Sequence, residues 1–341
     1  MIRTLTISGL LFGLTVLIFL VAWQGFAEVS GILAASGGWL LVLPFVWLPA
    51  LFIGAAGWRL QFRPRTAPAY LSVVRAQWIG RSVNVLFPVA QLGGDIVRVR
   101  LLCLRGADIV PAAASVVVDK AAQATAAVLW GLIGISLLAS LSLDDGLVAP
   151  ALAAAALLAA GVCGFVLLQR AGMFGFAARF ARLLDRGDRA QRLADHAQDL
   201  DREIRAAHGR KRRFAAACLV RTLGLAAQTF EVWLAAWLLG HGISFVEALL
   251  LKSMSSILTD VMFFVPNGYG VQEGAYVVIG GAIGLTPDFM LALSLSTRIR
   301  DVVIDVPGLI AWQHSEGRHL LRRARGRPGA AMSGPAEEQR P

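Results

Sequence analysis

Phe263–Gly274 reads FFVPNGYGVQEG. It interrupts a strongly apolar region with Pro266, Asn267, three glycines, Gln272 and Glu273. A plain helix in hydrocarbon would not carry that run. Non-helical backbone at membrane depth persists only where protein or a water-filled cavity satisfies its N–H and C=O groups. A second break, Leu86–Arg100, reads LFPVAQLGGDIVRVR. The chain is read outward from these two interruptions.

The surroundings of both breaks are those of a polytopic membrane protein, all-α in class. Of 341 residues, 57% are hydrophobic and only 16% charged, against about 25% charged in an ordinary soluble domain. Several apolar runs reach the roughly 20 residues needed to cross hydrocarbon. The formal charge of +10 would suit nucleic acid in a soluble chain. Here the arginines lie in a few loops, and orientation in an anionic membrane accounts for them; no nucleic-acid partner is expected. Cys103, Cys163 and Cys218 are scattered and lack metal-ligand spacing, so they read as small apolar side chains. No metal and no cofactor is expected.

Flanking the breaks, Leu5–Trp23 reads as a first span and Trp39–Trp58 as a second, with Pro44 and Pro49 inside it and both expected to bend it. Arg59, Arg63, Arg65 and Arg75 follow with no acid between them, which places that loop and both termini in the cytoplasm. Leu71–Phe87 and Ile96–Leu104 are too short or too polar to span alone. Together they read as a re-entrant hairpin around Pro88. Ala112–Leu141 and Leu147–Leu168 are two further spans. Residues 170–213 form a basic cytoplasmic insertion with twelve arginines and lysines against six acids. Within it Phe174, Phe176, Phe180, Leu183 and Leu184 suggest an amphipathic helix on the membrane. Phe214–Leu239 spans. Phe245–Val265 and Ala275–Leu285 form a second broken hairpin, and Asp288–Trp312 spans last. The embedded part thus covers residues 1–313, and residues 314–341 read as a basic cytoplasmic tail with a disordered end. The total is about six full spans plus two broken hairpins, the first opening inward and the second outward. Both breaks carry a proline, glycines and an acid, Asp95 or Glu273, as an inverted-topology repeat would give.

A charge at the bilayer centre costs about 2.5–3.5 kcal/mol on insertion scales, so charges in these spans must pair or face water. Asp119, Lys120, Glu231, Lys252, Asp260, Glu273, Arg298, Arg300 and Asp301 all lie in apolar segments. Arg298 shares a helix face with Asp301, three residues on, whereas Arg300 precedes Asp301 directly and is expected to point elsewhere. Asp119, Lys120, Lys252 and Asp260 need partners from other helices. Structural pairing with snorkelling is the plainer reading of each residue. The concentration from Glu231 to Asp301 points instead to a polar cavity in the second half of the chain. Gly93, Gly94 and Gly270 supply turn geometry and close packing, or bare backbone for an anionic headgroup. Asn84, Gln91, Asn267 and Gln272 cap the broken helices or line the route. No phosphate-binding loop, dinucleotide fingerprint or hydrolase motif is present, and the five histidines do not cluster. An enzyme is therefore not expected.

WIGRSVNVLFPVAQLGGDIVRVRLL, SVVVDK and VPNGYGVQEGAYVVIGGAIGL resemble the flippase-like family related to the membrane domain of lysylphosphatidylglycerol synthase (MprF). The nearest likeness is to its HpnL-type branch, associated with hopanoid biosynthesis. The resemblance carries over to Asn84, Pro88, Gly93, Gly94, Asp95, Arg98, Asp119, Pro266, Gly270, Glu273 and Gly274, with Asn267 and Tyr269 as local departures. It implies a lipid flippase or transporter of the bacterial inner membrane, with hopanoid or a phospholipid-like amphiphile as cargo. The aminoacyl-transferase domain of the full synthase has no counterpart here, so aminoacylation is not expected. The other readings are a membrane scaffold for lipid-modifying enzymes, docking them on residues 170–213, and a membrane-embedded lipid transferase. Self-association into a homo-oligomer is compatible with each.

Overall fold

The computed structural model describes residues 38–86, 93–140, 145–176, 178, 188–262 and 270–325, and among them the chain is helical with no strand. A 3-10 turn at Trp39–Val42 leads into α1 (Leu43–Arg59), followed by α2 (Tyr70–Leu86), α3 (Gly93–Cys103), α4 (Ile109–Ser140) and α5 (Asp145–Ala171). After the insertion come α6 (Asp188–Gly209), α7 (Lys211–Leu238), α8 (Phe245–Val261), α9 (Val271–Ala282) and α10 (Pro287–Arg325).

Among the described residues, three helices are long and apolar enough to cross a membrane: Trp39–Arg59, Ile109–Ser140 and Val148–Ala171. The last is only 11% buried, so α5 is the outer wall whose leucines face lipid. The expected spans Phe214–Leu239 and Asp288–Trp312 lie within α7 and α10, unbroken helices of 28 and 39 residues that are less apolar because they carry charge. The first expected span, Leu5–Trp23, lies outside the described residues.

Several expectations need correction. Pro44 does not bend the second span: it sits at the second position of α1, where its missing N–H has no partner to lose, and only Pro49 lies inside. The last helix does not stop at Trp312. It runs to Arg325, and its extension is held by Arg100, whose Nη2 donates to Glu316 Oε2 at 2.7 Å, and by Arg75 donating to Ser315 Oγ at 2.8 Å. Phe174 packs inward near Val118 and Ile204 instead of lying on the membrane, whereas Phe176 is 73% exposed, as a membrane-facing side chain would be. Phe180, Leu183 and Leu184 lie outside the described residues. The amphipathic element is α6, and it too turns inward, burying Ile204 and Ala207 against α4.

Both hairpins form. α3 folds back on α2, where Gly94 N–H donates to Asn84 Oδ1 at 2.7 Å. A Cβ on Gly94 would collide with the Gly80 carbonyl, so the two helices touch backbone to backbone. α9 folds back on α8. The hairpin tips, 87–92 and 263–269, lie outside the described residues.

Two apolar clusters place the hairpins at opposite ends of the bundle. One joins Leu40 and Leu43 at the start of α1, Leu138 at the end of α4, Leu250 and Ile279 of the second hairpin, and Met290 at the start of α10. The other joins Trp58 and Phe62 at the end of α1, Ala112 at the start of α4, Val73 and Leu101 of the first hairpin, and Leu309 and Trp312 far along α10. The hairpins thus enter from opposite ends. α1 packs on α7, and each hairpin reaches across to the long helix of the other half, α2 to α10 and α8 to α4. The polar residues are caught between the two clusters.

Candidate functional site

Between the clusters lies a cavity of about 530 Å³. α1 supplies Trp47 and Gly54; α2 supplies Gln77, Arg81 and Asn84; α3 supplies Asp95 and Arg98. α4 adds Lys120 and Gln123, α7 adds Arg221 and Gln228, and the end of α8 adds Asp260. Four cations therefore face two carboxylates across a chamber walled elsewhere by alanine and leucine.

The floor is built on Asp119. This carboxylate is fully buried and receives two guanidinium groups, Arg98 Nη2 at 2.6 Å and Arg221 Nη2 at 2.6 Å. Gln123 Nε2 donates to it at 2.8 Å. Arg98 also meets Asp95 at 3.2 Å and lies 3.9 Å over the Trp58 ring, a cation–π contact in low dielectric. Asp95 is shared with Lys120 at 3.2 Å, and Lys120 keeps 29% of its side chain exposed. It is the freest cation of the wall. Trp47 Nε1, Gln77 Oε1 and Arg98 Nε are buried at the wall with no hydrogen-bond partner among the described residues.

Behind the cavity runs a second, denser network. Arg81 joins Asp301 at 2.7 Å and Asp305 at 2.5 Å, and Ser82 Oγ donates to Asp305 at 3.1 Å. Arg300 meets Glu231 at 3.2 Å and Asp301 at 3.2 Å. Arg298 meets Glu273 at 3.0 Å and Asp301 at 4.0 Å. The Trp47 ring stands between Arg81, 4.3 Å away, and Arg300, 5.1 Å away. Lys252 sits in electrostatic reach of Glu231, Asp301 and Asp260. Cavity wall and network together hold seven cations (Arg81, Arg98, Lys120, Arg221, Lys252, Arg298, Arg300) and seven carboxylates (Asp95, Asp119, Glu231, Asp260, Glu273, Asp301, Asp305). The formal charge of the set is zero, the condition under which so many ions stand in an apolar bundle.

The structure thus divides the expected site residues. Asn84, Asp95, Arg98, Lys120 and Asp260 line the cavity, with Asp119 beneath them. Glu231, Glu273, Arg298, Arg300 and Asp301 do not line it; they form closed ion pairs. The polar chamber is therefore walled mainly by the first half of the chain, not the second. Arg300 and Asp301 do meet, despite being adjacent, because both side chains converge on the Arg81 and Glu231 groups of neighbouring helices. Gly93 and Gly94 open α3, and Gly270, at φ 77, opens α9 with its N–H donating to Glu273 Oε2 at 2.7 Å. Gln272 donates to Ser294 and Thr297. Gln91 and Asn267 lie outside the described residues.

Arg81, Arg221, Asp305, Trp47, Gln77 and Gln228 were not among the expected site residues, although Asp305, Arg81 and Gln77 are visible in the sequence as polar positions in apolar segments. Arg221 is the instructive case. It stands two to three turns beyond the RKRR run at 210–213, so its charge merges with the cytoplasmic anchor. The signal that finds it is the unpaired acid at Asp119, which demands a cation from another helix.

A helical bundle with two opposed hairpins around a polar, ion-lined chamber defines an integral membrane protein. The family model described as the lysylphosphatidylglycerol synthase TM region matches residues 9–307, and the chain belongs to that family. Its description ties the family to lipid. No curated protein and no solved structure matches the chain.

Proposed function

We propose that the protein is a lipid transporter of the bacterial inner membrane that passes the headgroup of an amphiphile through this cavity while the apolar body stays in lipid. The observation that carries the reading is the cavity itself: about 530 Å³, within the 300–1,000 Å³ typical of small-molecule sites, yet lined by ions at the depth of α4 residues 120–127. The wall itself sets four cations against Asp95 and Asp260, with Asp119 beneath, and this net positive lining favours a headgroup rich in acceptor oxygens, hydroxylated, phosphate-bearing or zwitterionic. A hopanoid with a polar side chain, or a related lipid, meets that requirement, as the HpnL-type resemblance implies. The run Arg59, Arg63, Arg65 and Arg75 favours a cytoplasmic position for the Trp58 end of α1 and the base of the first hairpin.

The scaffold reading is less favoured. α6 turns Ile204 and Ala207 inward, Asp201 accepts from the Phe174 and Gly175 N–H groups, and Glu203 is held by Arg63 at 2.7 Å. Its apolar face and two of its acids are committed to the chain itself, which leaves only the exposed polar face, with Asp199 and Arg202, for a partner.

The test is lipid movement in vesicles reconstituted with the full chain, using fluorescent hopanoid and phospholipid probes. Movement above empty vesicles, reduced by at least about tenfold in Lys120→Gln, supports transport. Equal movement in protein-free vesicles, with the protein folded, overturns it.

A further inference from the structure

A smaller cavity of about 160 Å³ lies apart from the first, at the Trp58 end of the bundle. It sits between the connection from α1 to α2, the first turns of α4, and α6 with its junction to α7. Gln61, Arg63 and Thr66 line it from the connection, Ser115 from α4, and Glu203 and Arg210 from α6 and the junction. None of these residues lines the larger cavity.

The cavity has more donors than the protein uses. Its one carboxylate is taken: Arg63 Nε and Nη2 donate to Glu203 Oε1 and Oε2 at 3.0 and 2.7 Å. Ser115 Oγ is taken too, accepting from Trp58 Nε1 at 3.1 Å and donating to Ala112 O at 2.7 Å. Arg210 Nη2 donates to a backbone carbonyl, Gln61 O at 2.8 Å, and beside it Arg213 Nε donates to Leu60 O at 3.0 Å. Among the described residues neither arginine bonds a carboxylate. Burial holds the Arg210 guanidinium below its usual value; Glu203 opposes this, and the like charges of Arg213 and Arg63 add to it. Gln61 is 3% exposed, and its amide nitrogen is buried with no hydrogen-bond partner among the described residues. A buried donor left unpaired is costly.

These features select a ligand. A planar carboxylate is served by one guanidinium edge, as Glu203 is by Arg63. The remaining donors come from separate elements, and they suit a tetrahedral oxyanion that offers acceptors on several sides. The volume is below the roughly 300–1,000 Å³ of sites that enclose a whole small molecule and well above the space one water needs. One phosphate group fits it.

We infer that this cavity binds a terminal phosphate group through Arg210, the Gln61 amide and the Thr66 hydroxyl, and that the bound phosphate fastens α6 to the connection between α1 and α2. The phosphate is that of the free ion or of a phosphomonoester lipid, which present the same oxygens. The inference does not rest on the transport reading. A ligand that binds only the docked form of α6 stabilises that form by mass action.

The test uses the full chain in detergent with inorganic phosphate, against chloride at equal ionic strength. A second arm uses phosphatidylcholine vesicles containing phosphatidic acid or the same amount of phosphatidylglycerol. Equilibrium dialysis counts bound phosphate, and amide exchange is followed in α6 and in residues 60–69. One phosphate per chain is expected, with slower exchange in both segments. Gln61→Leu folds at least as well as the parent, because it removes an unpaired buried donor, and weakens phosphate binding by about tenfold or more. Glu203→Gln, which frees Arg63, tightens it severalfold. If Gln61→Leu does not fold, the absence of that tightening overturns the inference. Slower exchange with phosphatidic acid but not with phosphatidylglycerol or free phosphate, lost in Gln61→Leu, supports the site and assigns it to a lipid. No response to either phosphate source, or a response unchanged in Gln61→Leu, overturns the inference. Equal protection by both lipids without phosphate binding is surface charge alone and overturns it too.

Discussion

Asp119 has no exposed surface and compensates two arginines at once. Removing its charge takes from Arg221 the carboxylate it bonds and leaves Arg98 with Asp95 alone in a low-dielectric floor. Asp119→Asn is expected to destabilise the protein by about 3–5 kcal/mol, the range for breaking a buried pair from one side, read as a lower midpoint of thermal or denaturant unfolding in detergent. Lys120 is the opposite case. It is partly exposed and holds one carboxylate, so Lys120→Gln is expected to cost no more than about 1 kcal/mol while removing most lipid movement. Equal destabilisation by the two variants would show that Lys120 is structural. Much at this scale was legible: the presence of Asp119, Glu231, Lys252 and Asp301 in apolar segments announces buried pairing. The identity of the partners was not, because Arg98, Arg221 and Asp119 come from three helices and only the tertiary fold brings them together.

The hairpins and the cytoplasmic helix make testable elements. Gly94 meets the Gly80 carbonyl with no room for a side chain. Gly94→Leu therefore forces α3 off α2 and is expected to lose at least about 1–3 kcal/mol by overpacking, with loss of folded protein on size exclusion. Gly106→Ala has open space around it and bears only the left-handed backbone, which costs roughly 1–2 kcal/mol. α6 gives a pH dependence. His208 Nε2 lies 2.7 Å from Gln169 Oε1, whose amide nitrogen donates to Val117 O, and it packs beside Phe214. Burial, with Arg170 nearby as the smaller cause, holds the imidazole below its ordinary value. A lowered value means the folded form resists protonation. The docking of α6 is therefore fully stable above about pH 6.5, the unfolded value, and weakens as pH falls towards the depressed folded one. The protection factor of α6 amides, corrected for the intrinsic pH dependence of exchange, is expected to fall between pH 7.5 and 5.5, and His208→Gln to abolish that fall. Helix positions were readable from hydropathy and glycine or proline breaks. The inward turn of α6 was not, since a basic amphipathic helix has the same pattern whether its apolar face meets lipid or α4.

In the whole molecule, one plan is used twice, inserted from opposite ends. The proline and glycine breaks with Asp95 and Glu273 made that plan visible in outline, because backbone irregularity in an apolar chain has few physical excuses. What the residues alone misplaced was the chamber. Charges are denser from Glu231 to Asp301, but density measures the closed network as readily as an open site, and only packing separates the two. The central claim is that the open cavity holds a lipid headgroup. It is tested most directly by photo-crosslinkers placed singly at Gln123 and Gln228 in the cavity, and at Leu129 on the exposed face of α4, in cells, with the adducts read by mass spectrometry. The account predicts one lipid class joined through its headgroup at Gln123 and Gln228, and only bulk-lipid acyl adducts at Leu129. The same bulk adducts at all three positions, or none in the cavity, would contradict it.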